Sequence, residues 1–407
     1  MVTQASKVLF LTTLIPSQRV GGGEVASQTF IDGLRQNGCQ VSVVGYMRKD
    51  AVFEPKSYER VVEERYIETY KARAYPLIWL ALSLLIGLPY SAAKYYSRAY
   101  LELVKSLLSV NQFDVVVIDH SQLGWLVRLL GGRHRIIFIA HNIEHDIYVS
   151  HYNNSNNFLK KWLYAREARL IKKLEANLLR QAAEVWALTD YDASYFSGIS
   201  EGSTVKTLAL PSVQNSQCGK VIEKTFDIGL IGSWTWKFNE EGLRWFLEFV
   251  YPELPEQLSI HVAGKGAEWL NGKYPNVRYE GFVPNAQVFM AQARVVALPI
   301  LGGSGIQIKT LDALASGSAI VATPTSMRGI SLNSSVVKIA EHPKDFAAIL
   351  SSVVYEQSNQ TVEDSNGIAL EWFRTRKEQF LQDLASSVEY TSPTVASVDK
   401  KLSQVRT

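Results

Sequence analysis

Short, unbroken apolar runs recur along this chain, and a stretch of helical periodicity follows almost every one. In the first half they are KVLFLTTLI (7–15), QVSVVGY (40–46), FDVVVIDHS (113–121), RIIFIAHNIEH (135–145) and AEVWALT (183–189). In the second half they are FDIGLIGS (226–233), LSIHVAGKG (258–266), ARVVALPI (293–300) and AIVAT (319–323). Continuous apolar runs mark strands covered on both faces, as the strands of parallel sheets are. Strands that alternate with helices predict right-handed crossovers and doubly wound α/β layers. Between the halves, VQNSQCGKVIEKT (213–225) is polar and without period, and reads as an interdomain linker. A chain of 407 residues holds two such domains with a cleft between them. A helix over 363–389 ends the ordered pattern, and the tail 390–407 reads as frayed.

Composition narrows the function classes. A net charge of +3 is too small to argue for nucleic acid. The two cysteines, Cys39 and Cys218, sit in no metal-like or redox-like spacing and predict free thiols in a reducing compartment. The first apolar run is short and reads as a strand rather than a signal peptide. The segment YPLIWLALSLLIGLP (75–89) is too short to span a bilayer, which takes about twenty apolar residues. Pro76 and Pro89 bracket it, and Tyr90, Lys94, Tyr95, Tyr96 and Arg98 border it. It is either a buried helix or an exposed one that docks on a membrane surface.

Glycine marks the candidate sites. In PILGGSGIQIKTLDALASGSAIVAT (299–323) a strand end leads into a turn of Gly302, Gly303, Ser304 and Gly305. A helix is predicted from near Ser304 to Gly317, then another strand. Unpaired N–H groups at a helix start, beside glycines that admit close approach, make an anion site. Lys309 and Asp312 lie three residues apart on one helix face and add a cation and a carboxylate. That set suits a nucleotide diphosphate with its ribose; the alternative is a tight turn beside a solvated ion pair. Gly21, Gly22 and Gly23 precede the first helix, but they do not fit the dinucleotide pattern GxGxxG. Gly45, Tyr46 and Met47 end the second strand, where a dinucleotide ribose would need an acid, which argues against a nicotinamide site. His120 and His141 fall at the carboxyl ends of two strands, where open α/β sheets bind ligands. Each alone would as readily be a structural hydrogen-bonding residue.

Several segments carry a family likeness in a fixed order. They are GGGE (21–24), LIGLPYSAAKYYS, IAHNIEH, EARLIKKLEANLLRQAAEVWALTDYD, IGSWTWKFNEEGLRWF, HVAGKG, VRYEGFVPN and PILGGSGIQIKTLDALASGSAIVAT. Together they span nearly the whole chain, which resembles a retaining glycosyltransferase of the large bacterial type-4 family, group 1. The resemblance implies the GT-B fold: α/β, with two Rossmann-like, doubly wound parallel-sheet domains facing a cleft. Residues 1–212 would bind the acceptor and 226–368 the nucleotide sugar, with the helix at 369–389 crossing back to the first domain. The implied reaction moves a sugar from a nucleotide-diphosphate donor to a glycan or polyprenyl-linked acceptor, with retention and with no metal or other cofactor. The implied setting is envelope or exopolysaccharide assembly in the cytoplasm, at the inner face of the plasma membrane.

By the same carry-over, donor binding falls to Gly232, Ser233, Gly264, Phe282, Val283, Gly303, Ser304, Gly305, Ile306, Lys309 and Asp312. Catalysis falls to His120, aligned with a histidine that contacts the donor sugar, and to Lys309 at the diphosphate. Gly21, Gly22, Gly23, Glu24 and His141 would serve the acceptor or the phosphates, and the base would lie near Gly281–Pro284. Two departures stand out. The family usually carries two acids eight positions apart; here those positions are Ser304 and Asp312. The cation usual after the first glycine of the second domain is replaced by Ser233, leaving Lys237 as a further candidate. A non-catalytic partner of the same fold, or a sugar-nucleotide epimerase, is the alternative.

Overall fold

The computed structural model describes residues 5–19, 21–49, 53–67, 72, 74–211, 222–303, 305–332, 336–357 and 363–388. Ser304, Cys218, most of the expected linker and the expected tail lie outside the described residues.

The first domain runs β1 (Lys7–Leu14), α1 (Gly22–Gln36), β2 (Gln40–Arg48), β3 (Glu59–Arg65), α2 (Tyr75–Ile86), α3 (Tyr90–Ala93), α4 (Arg98–Val110) and β4 (Val115–Asp119). It continues with α5 (Val127–Leu130), β5 (Ile136–Ala140), α6 (Glu144–Asn153), α7 (Phe158–Gln181), β6 (Glu184–Ala187), α8 (Asp190–Ile199) and β7 (Thr204–Thr207). The second domain runs β8 (Phe226–Ile231), α9 (Lys237–Trp245), β9 (Ile260–Ala263), β10 (Val277–Gly281), α10 (Ala286–Gln292) and β11 (Ala293–Leu298). It ends with α11 (Ile308–Ala315), β12 (Ala319–Ala322), β13 (Val337–Ile339) and α12 (Pro343–Gln357), and α13 (Glu363–Val388) closes the described chain.

Both sheets are parallel throughout, in the orders β3-β2-β1-β4-β5-β6-β7 and β10-β9-β8-β11-β12-β13. The central strands are buried on both faces: Val115–Asp119 and Ile136–Ala140 are buried at every position. Strand order reverses between β1 and β4 and again between β8 and β11. Crevices form at such reversals, beyond the carboxyl ends of the strands.

Three boundaries differ from the sequence pattern, which reads 50–75 as charged and less regular, WTWKFNEEG (234–242) as a loop before the next helix, and a helix start near Ser304. The charged stretch 50–75 contains β3, a parallel edge strand beside β2; its charged side chains suit an edge. The loop expected at WTWKFNEEG instead starts α9 at Lys237, and a π-turn at Phe246–Val250 follows. After the glycine turn, α11 begins at Ile308 rather than near Ser304. Gly317 ends that stretch at φ 73, a left-handed conformation favoured by glycine.

One apolar cluster runs from β1 and α1 through α13 into the second sheet and α11. Phe30 stacks on Trp186 at 5.5 Å and meets Phe380 of α13 at 5.4 Å. A β-carbon on Gly33 would lie 2.6 Å from Leu384 Cδ1, so glycine sets how closely α1 and α13 approach. Asn37 Nδ2 donates to the Leu381 carbonyl at 2.8 Å, holding α13 against the first domain. No described helix is long and apolar enough to cross a membrane. Helix α2 buries Trp79 and Ser83 but leaves Leu77 71% and Leu85 84% exposed.

Candidate active site

Asp119 ends β4 and is fully buried. Its Oδ2 accepts from Thr12 Oγ1 of β1 at 2.7 Å and from Ser27 Oγ of α1 at 2.6 Å. Its Oδ1 lies 2.6 Å from His141 Nε2, the residue after β5. Burial alone would raise this carboxyl. His120, His141 and the hydrogen bonds of His141 and Ser27 outweigh it and hold Asp119 well below the usual carboxylate range.

His120 follows at φ 81, one of two non-glycine residues with positive φ among the described residues. Such a conformation is costly and persists where its surroundings fix it. Here the His120 ring stacks on His141 at 3.9 Å. Burial, and then the neighbouring His141, push His120 down to about 4, against the pull of Asp119, so its ring is neutral near pH 7. Gly23 meets this pair: its β-carbon position lies 3.5 Å from His120 Cε1.

Asp119, His120 and His141 are the residue types of a cation site, and their candidate ligand atoms lie within 4.8 Å of one another. Hydrogen bonding accounts for that closeness. Both Asp119 oxygens already accept, and 2.6 Å between His141 and Oδ1 leaves no room for an ion between them. These residues do not fit a resident metal.

The second domain supplies the facing wall. Gly303 has φ 108 and Gly305 has φ 70. Arg328 Nη1 donates to the Gly303 carbonyl at 2.5 Å and fixes the turn. A β-carbon on Gly305 would lie 2.5 Å from the His141 carbonyl and 2.3 Å from Asn142 Oδ1, so the two domains meet at this glycine. Gly22 similarly faces Ile308, with 3.6 Å from its β-carbon position to Cγ1. Gly22, Gly23, Gly305, His120 and His141 thus border one cleft; Gly21 adjoins Gly22, while Gly303 lies against Phe238 of its own domain. Ile306 is partly buried and packs on the shared core.

Lys309 is partly buried in the first turn of α11, and burial pushes it down to about 7. Its Nζ donates to Asn239 Oδ1 at 2.7 Å, a neutral amide. Asn239 Nδ2 in turn donates to the Ser233 carbonyl at 3.0 Å, tying the loop after β8 to Lys309. Asp312 accepts from Gln287 Nε2 at 3.2 Å, and burial, partly offset by Gln287, raises it to about 6. Gly264, at φ 107, lets its backbone pass Gly232: a β-carbon there would lie 1.8 Å from the Gly232 carbonyl oxygen. Phe282 is 69% exposed beside Lys265, whose Nζ stands 5.1 Å from the ring centre. Val283 packs partly buried on the core.

Two expected residues are otherwise engaged. Glu24 is buried and paired with Arg48 of β2, so its carboxylate braces the start of α1. Lys237 forms an exposed pair with Glu241 at 3.5 Å. Sequence reasoning passed over Asp119, Asn239 and Arg328. Asp119 had a signal, as the one acid ending an all-apolar strand; Asn239 lay in an expected loop, and Arg328 carried none.

Residues 21–211 match the glycosyl transferase 4-like domain, and residues 225–354 match the glycosyl transferases group 1 domain. No curated protein matches the chain significantly in sequence. Among solved structures, Anabaena HepE in complex with UDP and glucose is 14% identical with a TM-score of 0.59, over 94% of this chain and 100% of that one. WaaG, a glycosyltransferase involved in lipopolysaccharide biosynthesis, is 15% identical with a TM-score of 0.57, over 94% and 99%. A UDP-forming α,α-trehalose-phosphate synthase from Burkholderia xenovorans is 12% identical with a TM-score of 0.57, over 94% and 98%. At these identities the likeness is one of fold. With both halves matched by these family domains, the chain belongs to the group 1, type-4 glycosyltransferases and has the GT-B fold.

Proposed function

We propose that this glycosyltransferase takes a nucleoside-diphosphate sugar as donor and transfers the sugar with retention, without a metal, to a glycan or polyprenyl-linked acceptor of the cell envelope. The observation that carries the reading is Lys309. It is a partly buried cation beside a glycine turn, bonded to a neutral amide and, among the described residues, to no carboxylate. An uncompensated cation beside a helix start favours an anion. The HepE and trehalose-phosphate synthase structures, described with UDP or as UDP-forming, favour uridine as the base.

Departure of the diphosphate builds negative charge on its terminal phosphate and positive charge on the sugar. Lys309 and the backbone N–H groups of the turn meet the first, so catalysis is mainly preorganised electrostatics. Asp312 accepts from the ribose hydroxyls. Neutral His120 hydrogen-bonds the sugar, and Asp119 fixes the ring of His141 beside it. The acceptor attacks the face the phosphate leaves, and that phosphate takes its proton. Closure over the glycine borders excludes water that would hydrolyse the donor.

The acceptor is presented at the inner face of the plasma membrane. Supporting this are the exposed Leu77, Ile78, Leu84 and Leu85 of α2, bordered by Lys94. Co-sedimentation with anionic vesicles, lost in Leu77→Asp/Leu85→Asp, tests it; a wild type that stays in the supernatant overturns it.

A thermal-shift panel of UDP-, GDP- and ADP-sugars tests the donor reading. A ligand at a hundred times its Kd adds about 2.7 kcal/mol, which raises Tm by several degrees. One nucleotide class should do so. A flat panel would favour the non-catalytic partner of the same fold.

A further inference from the structure

A groove of about 700 Å³ lies on the first domain, between the end of α2, the start of α4, α5 and the second half of α7. It is on the face of α7 away from Glu175, the side chain that reaches the strand ends. Ile86, Trp125 and Leu170 give it an apolar stretch of floor, and the neutral polar Asn177 and Gln181 line it as well. Arg128, Lys173 and Arg180 stand at its rim, and no carboxylate among the described residues lines it. None of these three cations makes a hydrogen bond or ion pair among the described residues. Trp125 is 8% exposed, and its indole N–H has no hydrogen-bond partner among the described residues. A buried donor left without a partner is uncommon in a folded chain.

We propose that this groove binds one anionic phospholipid from the membrane surface, a hydrocarbon chain along the apolar floor and the phosphate between Arg128, Lys173 and Arg180. Three observations select that occupant. The volume falls within the range of small-molecule pockets. An apolar floor under an all-cationic rim complements an amphiphile with a negative head. Ile86 belongs both to the groove and to the exposed end of α2, so the groove opens where the membrane-facing helix ends. A peptide would need backbone partners along the groove, and a soluble sugar phosphate would leave the apolar floor wet. The inference deepens the membrane part of the proposed function and does not depend on the donor.

The test is calorimetric titration with dihexanoyl phosphatidylglycerol below its micelle concentration, with dihexanoyl phosphatidylcholine for comparison. One anionic lipid should bind per chain, and the zwitterionic lipid should bind about tenfold more weakly or less. Arg128→Glu/Lys173→Glu should weaken the anionic lipid by about tenfold or more, while Lys160→Glu/Lys161→Glu, on the same helix outside the groove, should not. Leu170→Trp, which fills the floor, should weaken both lipids. Absence of saturable binding, equal binding of the two lipids, or no effect of the groove variants overturns the inference. Binding to vesicles without binding of the dispersed lipid also overturns it, because surface adsorption through α2 would then be the whole interaction. Thermal shifts with donor sugars should be the same in all these variants, so a failure here and a failure of the donor reading are told apart.

Discussion

Gly305 shows how little space the cleft allows. Its φ of 70 and the two oxygens within 2.5 Å of its β-carbon position both require glycine. Gly305→Ala should lower kcat tenfold or more, because relieving the clash moves His141 and Asn142 away from the turn. The backbone strain is about 1–2 kcal/mol, so Tm should fall only modestly; unchanged kcat would remove Gly305 from the closed site. Donor affinity should also depend on pH, with a sign set by two groups. Lys309 sits at about 7 in the free protein, and a diphosphate favours its charged form. Affinity is therefore full below pH 7 and falls as pH rises, by up to about tenfold per pH unit. Asp312 sits at about 6 and accepts through both oxygens only when ionised, because protonation turns one into a donor, so affinity also falls below that. Calorimetry from pH 5 to 9 should give a maximum between 6 and 7, with proton uptake on binding at pH 8; a flat profile would remove both groups. That Lys309 and Asp312 share one helix was legible because helix spacing is local. Asp119 showed only as the acid ending an apolar strand; its bonding was not legible, because its partners Thr12 and Ser27 stand 107 and 92 residues away.

Helix α7 links the site to the rest of its domain. Glu175 is 1% exposed, and its Oε1 accepts from Ser121 Oγ at 3.1 Å and from the Glu144 N–H at 3.0 Å. Burial, and then Glu144, push it up to about 8. A carboxyl raised in the folded state holds its proton there more tightly than in the unfolded chain. Its ionisation therefore costs stability progressively as pH rises from the ordinary carboxylate value toward 8. Glu175→Gln keeps the acceptor oxygen and removes the titration. It should leave stability unchanged at pH 5 and raise it at pH 8 by on the order of 2–3 kcal/mol. Urea unfolding at the two pH values measures this, and parallel curves for the two proteins would contradict it. At this scale the apolar strands were readable from sequence, because burial on both faces leaves an unbroken apolar run, and the long α7 because its residues keep a charged amphipathic helical period. Edge strand β3 was not, because its exposed charges mask a strand. The start of α9 was not, because the glycine and polar residues of WTWKFNEEG resemble a loop.

Two sheets, one shared apolar cluster and a closing helix define the whole molecule. Helix α13 packs Phe380 and Leu384 on α1, while Arg376 donates to the Leu210 carbonyl at 2.6 Å and to the Gly329 carbonyl at 3.2 Å. One side chain thereby joins the end of the first domain to the second. Phe380→Ala should cost about 3–5 kcal/mol and, if the shared cluster couples the domains, lower a single unfolding transition. A split into two transitions with only one affected would mean the domains unfold independently. The strand–helix alternation made the two-domain architecture legible. The continuity of the core between domains was not, because it depends on tertiary approach at glycines such as Gly33. Everything proposed for the cleft rests on a diphosphate meeting Lys309. The most direct measurement is calorimetric titration of UDP at pH 7 into the wild type and Lys309→Met, which keeps the side chain's length and removes its charge. Losing one charged phosphate contact costs about 1.5–3 kcal/mol, so Kd should rise at least about tenfold while the fold is kept. UDP binding with the same Kd in both proteins would contradict the account.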